Sequence, residues 1–165
     1  MPATYEKIAS TTLSSTQTTV TFSSISGAYT DIILIAANTG NTTNLANAYV
    51  RFNSDTGSNY SYTFIQGNGS TAASARGSNE NYMNIMRSFG GDTTMNIVQI
   101  QNYSNTTTYK TALSRYGSGG TSSATLAGVG LWRNTNAITS IIIGITDGFD
   151  FISGATFTLY GIKAA

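Results

Sequence analysis

The chain contains no cysteine and no histidine. The first absence excludes disulfides, thiolate metal sites and cysteine nucleophiles, and leaves the redox compartment open. The second removes the commonest general base and the commonest metal ligand. Proline occurs once, at Pro2, outside every stretch that reads as a strand, as suits a residue with no ladder donor. Charge is scarce. Charged residues make up 9% of the chain and the net charge is +1, where about 25% charged is usual. That balance gives no electrostatic footprint for duplex nucleic acid or for an anionic membrane. Long apolar runs are also missing. Ile32 to Ala37 and Ile141 to Ile145 are the longest, far below the roughly 20 residues of a bilayer-spanning helix, so no membrane insertion is expected. Met1 to Lys7 shows no basic stretch leading into an apolar one. No secretory signal is expected, and first folding in a cytoplasm is.

What is present is Ser, Thr, Asn, Gln and ten tyrosines in 165 residues. A surface with so little charge is poorly protected against association, so it reads as one covered by neighbours. The apolar residues follow a period of two. Val20 and Phe22 alternate with Thr19, Thr21 and Ser23. Ala48, Val50 and Phe52 point one way, and Tyr49, Arg51 and Asn53 the other. Ile141, Ile143 and Ile145 share a face, as do Phe157, Leu159 and Gly161. Such alternation is that of half-buried strands. Ile32 to Ala37 is continuously apolar and fits a strand buried on both faces. Around Ser104-Asn105 the chain turns. Met95, Ile97, Val98 and Ile100 precede the turn. After it Thr107, Tyr109, Thr111 and Leu113 alternate with Thr108, Lys110, Ala112 and Ser114. A hairpin of this kind needs a sheet beside it.

Residues 1–12 read as an extended arm or edge strand, its alternation running from Thr4 to Thr12 and leaving Pro2 before it. Gly117 to Gly120 reads as a flexible turn. The stretch 67–91 is expected to be a variable exposed loop. Within it Asn81 to Phe89 fits a short helix or a strand equally well. About ten short strands separated by turn residues point to a single antiparallel β-sandwich domain over 1–165, jelly-roll in topology.

Few of these residues suggest bond-making chemistry. Asp147 and Asp150 are close in sequence, but Gly148 and Phe149 between them mark a turn. Asn53 to Asn59 is an oxygen-rich loop with one carboxylate, Asp55. Calcium usually takes more than one, so a turn is the preferred reading over a weak calcium site. No histidine accompanies the serines and no Gly-x-Ser-x-Gly elbow occurs. Gly117 to Gly120 lacks the Lys and Ser/Thr of a phosphate loop. No catalytic residue, metal or cofactor is therefore expected. Tyrosine combines a flat apolar ring with a polar tip, which suits glycans and protein interfaces. Tyr60, Tyr62, Tyr82, Tyr103 and Tyr116 are the candidate contacts, while Trp132 and Tyr160 are expected to fill the core or its rim.

Four stretches together carry a resemblance. They are Pro2 to Leu13 with Val20 to Ile25, Arg51 to Ser61, Asn102 to Thr111, and Val129 to Arg133 with Phe157 to Lys163. The chain resembles, nearly end to end, a family of small virion structural proteins of tailed bacteriophages, common among phages of aquatic bacteria. Only 67–91 finds no counterpart. The resemblance implies a particle component, assembled in the host bacterial cytoplasm and residing in the virion. The implied partners are copies of itself, most simply a trimer, and other virion proteins such as the major capsid protein. A capsid decoration or cement protein is the first expectation. A tail or fibre module binding host surface glycan is the alternative.

Overall fold

The computed structural model describes residues 5–42, 45–119 and 124–163. The readings made for Pro2 and for the last residue of the Gly117 to Gly120 turn lie outside the described residues. Among these residues no helix forms. The alternating segments become twelve strands: β1 (Tyr5–Thr12), β2 (Thr19–Phe22), β3 (Asp31–Asn38), β4 (Leu45–Phe52), β5 (Tyr60–Gly67), β6 (Ala72–Glu80), β7 (Met83–Phe89), β8 (Thr94–Ile100), β9 (Lys110–Ser118), β10 (Ala124–Trp132), β11 (Ile141–Ile145) and β12 (Thr156–Ile162).

Eight of these strands build an antiparallel sandwich. One layer runs β1-β12-β3-β8 and the other β2-β11-β4-β7. Early strands pair with late ones, β1 with β12 and β2 with β11, and the chain then winds inward through β3, β4, β7 and β8. That nested order is jelly-roll-like. The remaining strands come as two insertions. β5 and β6 fall between β4 and β7, and β9 and β10 between β8 and β11. They extend the first layer beyond β8 in the order β9-β10-β5-β6. An eight-stranded sheet therefore faces a four-stranded one.

The core follows the predicted parity. Val20–Ile143–Val50 and Phe22–Ile141–Phe52 are cross-strand rows on the inner face of the small sheet. Leu159–Leu34–Val98 faces them from the large one, and all nine side chains are buried. β3 departs in one respect from burial on both faces. Ile32 and Leu34 are sealed in the core, but Ile35 on the opposite face is only half-buried. In β9 the inward parity is the one carrying Lys110, Ala112, Ser114 and Tyr116, which leaves Leu113 in solvent. Lys110 is tolerated inside because its ammonium reaches the carbonyls of Thr108 and Thr135 at 2.7 and 3.1 Å.

The stretch 67–91 is not a loop. It holds β6, paired with β5, and β7, paired with β4. β6 lies at the sheet edge, where exposed Ser, Arg and Asn imitate loop composition. β7 resolves the open choice at Asn81 to Phe89 as a strand, and all seven of its residues are buried. Residues 5–12 form an edge strand paired with β12.

Two sets of contacts join the layers. Asn96 of β8 accepts the Arg87 amide at 2.9 Å and donates to the Arg87 carbonyl at 2.8 Å. Its side chain thus acts as a strand partner for β7. The second joint is aromatic. Trp132 of β10 meets Phe52 of β4 edge-on at 5.6 Å and stacks with Tyr60 of β5 at 6.3 Å. The Tyr60 hydroxyl accepts the Phe52 amide at 3.0 Å and donates to its carbonyl at 3.2 Å.

Asn96→Ala strands a buried amide and a buried carbonyl, so urea titration is expected to show a loss of at least about 2 kcal/mol. Trp132→Ala opens a cavity in the joint, with an expected loss of about 3–5 kcal/mol.

Candidate functional site

The five candidate tyrosines separate into two groups. Tyr60 and Tyr103 are fully buried and Tyr116 is 3% exposed, which corrects their assignment as surface contacts. Each has a structural reason. Tyr60 belongs to the aromatic joint. Tyr103 closes the loop after β8 by donating to the Ser26 carbonyl. Tyr116 packs with Phe64 and Leu126 beneath the extension. Strand ends and loops in the sequence carry surface-like neighbours, but Tyr60 and Tyr116 face inward from β5 and β9, and Tyr103 is tied to Ser26 and Ile138. Tyr62 and Tyr82 remain half-buried at the surface.

Tyr82 has a partner that the sequence left unmarked. Tyr49 of β4 stacks on it, ring centroids 4.7 Å apart. The Arg51 guanidinium lies 5.3 Å from the Tyr49 ring and donates to the Asn81 carbonyl at 3.0 Å. Tyr49 can lie flat because Gly144 is its cross-strand neighbour. A methyl at Gly144 would come within 2.5 Å of the ring. Alternation did place Tyr49 outward, but only the β4–β11 register reveals the glycine beneath it. Burial first, and then the nearby Tyr62 hydroxyl, push the Tyr82 pKa up. The result is a small aromatic ridge, Tyr49–Tyr82 with Tyr62 close by, on the outside of the small sheet.

A larger surface lies on the opposite side. The outward residues of the eight-stranded sheet form continuous rows set by the register. One row runs Ile33–Gln99–Leu113–Val129–Thr63. The next runs Ile35–Ile97–Arg115–Ala127–Ile65, and Met95 stands beside it on β8. Ile65, Met95, Leu113 and Val129 are 63%, 53%, 47% and 40% exposed. Four of the protein's exposed large apolar side chains therefore share one face. A groove of 590 Å³ opens beside them, lined in part by Ile65, Gly67, Ala72, Ser74, Thr125 and Ala127. Basic Lys7 and Arg76 stand on the outermost strands β1 and β6.

The polar interior is occupied with holding strands. Arg87 donates to Asn84 Oδ1 at 2.9 Å, to the Met86 carbonyl at 2.8 Å and to Gln66 at 3.3 Å, and it lies 4.3 Å from the Phe64 ring. Burial lowers its pKa to about 10. In the Asn53 to Asn59 loop, Asp55 accepts the Gly57 amide at 2.9 Å, Asn59 Nδ2 at 2.9 Å and the Trp132 indole N–H at 2.8 Å. Its oxygens serve N–H donors, which is turn chemistry that also pins Trp132. Asp147 accepts its neighbour Thr146 at 2.7 Å, a local turn contact. Asp150 is instead tied to the distant Asn41: its amide donates to Asn41 Oδ1 at 2.7 Å and its carboxylate accepts Asn41 Nδ2 at 3.5 Å.

No protein-family model and no curated protein matches the chain in sequence. Among solved structures it is similar to galectin LEC-6 of Caenorhabditis elegans, at 9% identity and a TM-score of 0.34, over 91% of this chain and 94% of that one. It is also similar to a variant of alginate lyase Aly36B bound to an alginate tetrasaccharide, at 10% identity and a TM-score of 0.30, over 83% and 72%. Likenesses this distant carry no functional argument, and the sandwich stands on its own strand pairing.

Burial pushes the Asp55 pKa up, but hydrogen bonds from Trp132, Asn59 and the Gly57 amide outweigh it and hold the carboxyl below its ordinary 3.8. A carboxyl depressed on folding contributes stability that is present above the unfolded value and lost as pH falls through the folded one. Asp55→Asn is therefore expected to be less stable than the parent at neutral pH. The gap should narrow as pH drops below about 4, read from urea midpoints across a pH series.

Proposed function

We propose that this chain is a non-enzymatic structural protein of a tailed-bacteriophage virion, acting as a decoration or cement subunit on the capsid. One observation carries the reading. A chain with 9% charged residues presents Ile65, Met95, Leu113 and Val129 together on an uncovered sheet face. Contiguous apolar patches of this kind mark protein–protein contact, and a permanent assembly provides it. The sequence resemblance to phage virion proteins, which leaves out 67–91, supplies the setting: partners that are copies of itself and the major capsid protein, in a particle assembled in the bacterial cytoplasm. The side chains support the same reading. The carboxylates of Asp55 and Asp147 are engaged in turns, that of Asp150 accepts the distant Asn41 amide, and Arg87 and Lys110 are engaged with backbone carbonyls.

A second reading has its own observation. The Tyr49–Tyr82 ridge, with Arg51 at its side and Tyr62 near, offers ring surface and hydrogen-bonding groups of the kind that hold a sugar. It supports a tail or fibre module that binds host surface glycan.

The two readings separate on the particle. Quantitative mass spectrometry of purified virions is expected to find the chain in fixed ratio to the major capsid protein, with a fused label imaged on the head. Virions lacking it should release DNA at a lower temperature, and added purified chain should restore the parent value. Absence from virions overturns the virion reading. A label confined to the tail, together with at least a tenfold loss of host adsorption in Tyr49→Ala/Tyr82→Ala, replaces the first reading with the second.

A further inference from the structure

We propose that the outward face of the eight-stranded sheet packs against the same face of a second copy of this chain, closing a two-fold dimer. The proposal deepens the docking reading above, because it names what covers the face.

Size is the first argument. Eight strands about 4.8 Å apart and about seven residues long give a face of roughly 800 Å². That is about the area each partner contributes to a standard protein interface. Anatomy is the second. Leu113 and Val129 stand at the middle of the face, with Ile65 and Met95 to either side and Arg115 among them. Its borders are polar: Lys7, Ser10 and Thr12 on β1, and Ser74, Arg76 and Ser78 on β6. A largely apolar middle that includes an arginine, inside a polar rim, is the usual layout of an interface.

Shape is the third argument, and it favours self-pairing over a foreign partner. A two-fold contact brings one patch against itself, so the patch must hold both a projection and a recess to receive it. Leu113 and Val129, directly paired across β9 and β10, form the projection. The recess is the 590 Å³ groove beside them, floored by Gly67, Ala72, Thr125 and Ala127. The same residue types then meet from both sides at the spacing at which sheets pack in a sandwich. The charges on the face set a sign. Lys7, Arg76 and Arg115 are basic and exposed, while Asp31, half-buried at the start of β3 on the same face, accepts the Asn102 amide at 2.7 Å, so the basic groups dominate and two copies repel weakly. Screening by salt should leave the pairing as tight or tighter.

The test uses the full chain in solution. Sedimentation equilibrium is expected to show a dimer, and its dissociation constant should not rise between low and high salt. Leu113→Asp/Val129→Asp, both at exposed positions, should raise that constant at least about 30-fold while circular dichroism stays that of a β protein. The chain has no native cysteine, so Ala127→Cys gives a second readout free of background. It should form a covalent dimer with a short bis-maleimide, whereas Thr21→Cys on the other sheet should not. A monomer at concentrations of about 0.1 mM, a trimer, or a dimer indifferent to the Asp pair overturns the proposal. A dimer absent from virions overturns the virion reading and leaves the pairing standing. A monomer found on virions does the reverse.

Discussion

The structure depends on how eight strands are held over four. A jelly roll of two four-stranded layers buries its inner faces by itself, but β9, β10, β5 and β6 overhang the small sheet. Trp132, Phe52 and Tyr60 anchor the overhang. Phe52 belongs to the small sheet, while Trp132 and Tyr60 belong to the extension, and the three rings meet within 6.5 Å. Asp55 fixes the indole from the β4–β5 turn at 2.8 Å. Aromatic packing provides much of the area, and the hydrogen bonds fix where the rings sit. With that joint in place, the outer half of the extension lies as a rigid continuation of the large sheet, and its outward face becomes one surface with that of β3 and β12.

The layer beneath the extension mixes polar groups with its rings, unlike the main core. Arg87, Asn84, Asn96, Thr94 and Lys110 are all buried; Asn84 accepts the Arg87 guanidinium, and the other four bond backbone carbonyls. Apolar side chains would fill the space without fixing a register. Asn96 does fix one, because only one alignment lets it bond both backbone groups of Arg87. The cost is a set of buried ionised or amide groups whose loss is expensive.

The extent to which this was legible in the sequence follows from what each signal encodes. Period-two alternation encodes facing. It placed Val20, Phe22, Val50, Phe52, Ile141, Ile143, Phe157 and Leu159 inward, and the structure buries all eight. It gave the β-sandwich for the same reason. Alternation does not encode which strands cover which, and the errors came from there. Tyr60, Tyr103 and Tyr116 have turns beside them and so read as surface, yet Tyr60 and Tyr116 face inward from β5 and β9 and Tyr103 bonds the distant Ser26 and Ile138. β6 was read as loop because an edge strand has the same polar composition as a loop. β9 was legible as a strand, but its inward parity was not, because Lys110 on one face outweighs Leu113 on the other until its carbonyl partners are known. Tyr49 was placed outward correctly. Its role emerges only through Gly144, 95 positions away in sequence and adjacent in register.

The two surfaces differ in a way that bears on assembly. The face of the large sheet is broad, apolar and bordered by basic groups, so burying it requires an equally broad partner and leaves little tolerance for water. The Tyr49–Tyr82 ridge is narrow and amphipathic, with hydroxyls and the Arg51 guanidinium in reach of solvent, so it tolerates an exchangeable or wet contact. They lie on opposite layers of the sandwich. A copy that buries its broad face in another would keep its ridge in solvent, and the pair would carry two ridges pointing away from each other. Ridges on opposite sides cannot meet one flat lattice together, so such a pair would attach through one ridge at a time and gain no avidity from the other. The low charge suits both surfaces, since neither a broad apolar face nor a ridge of rings and hydroxyls depends on long-range steering.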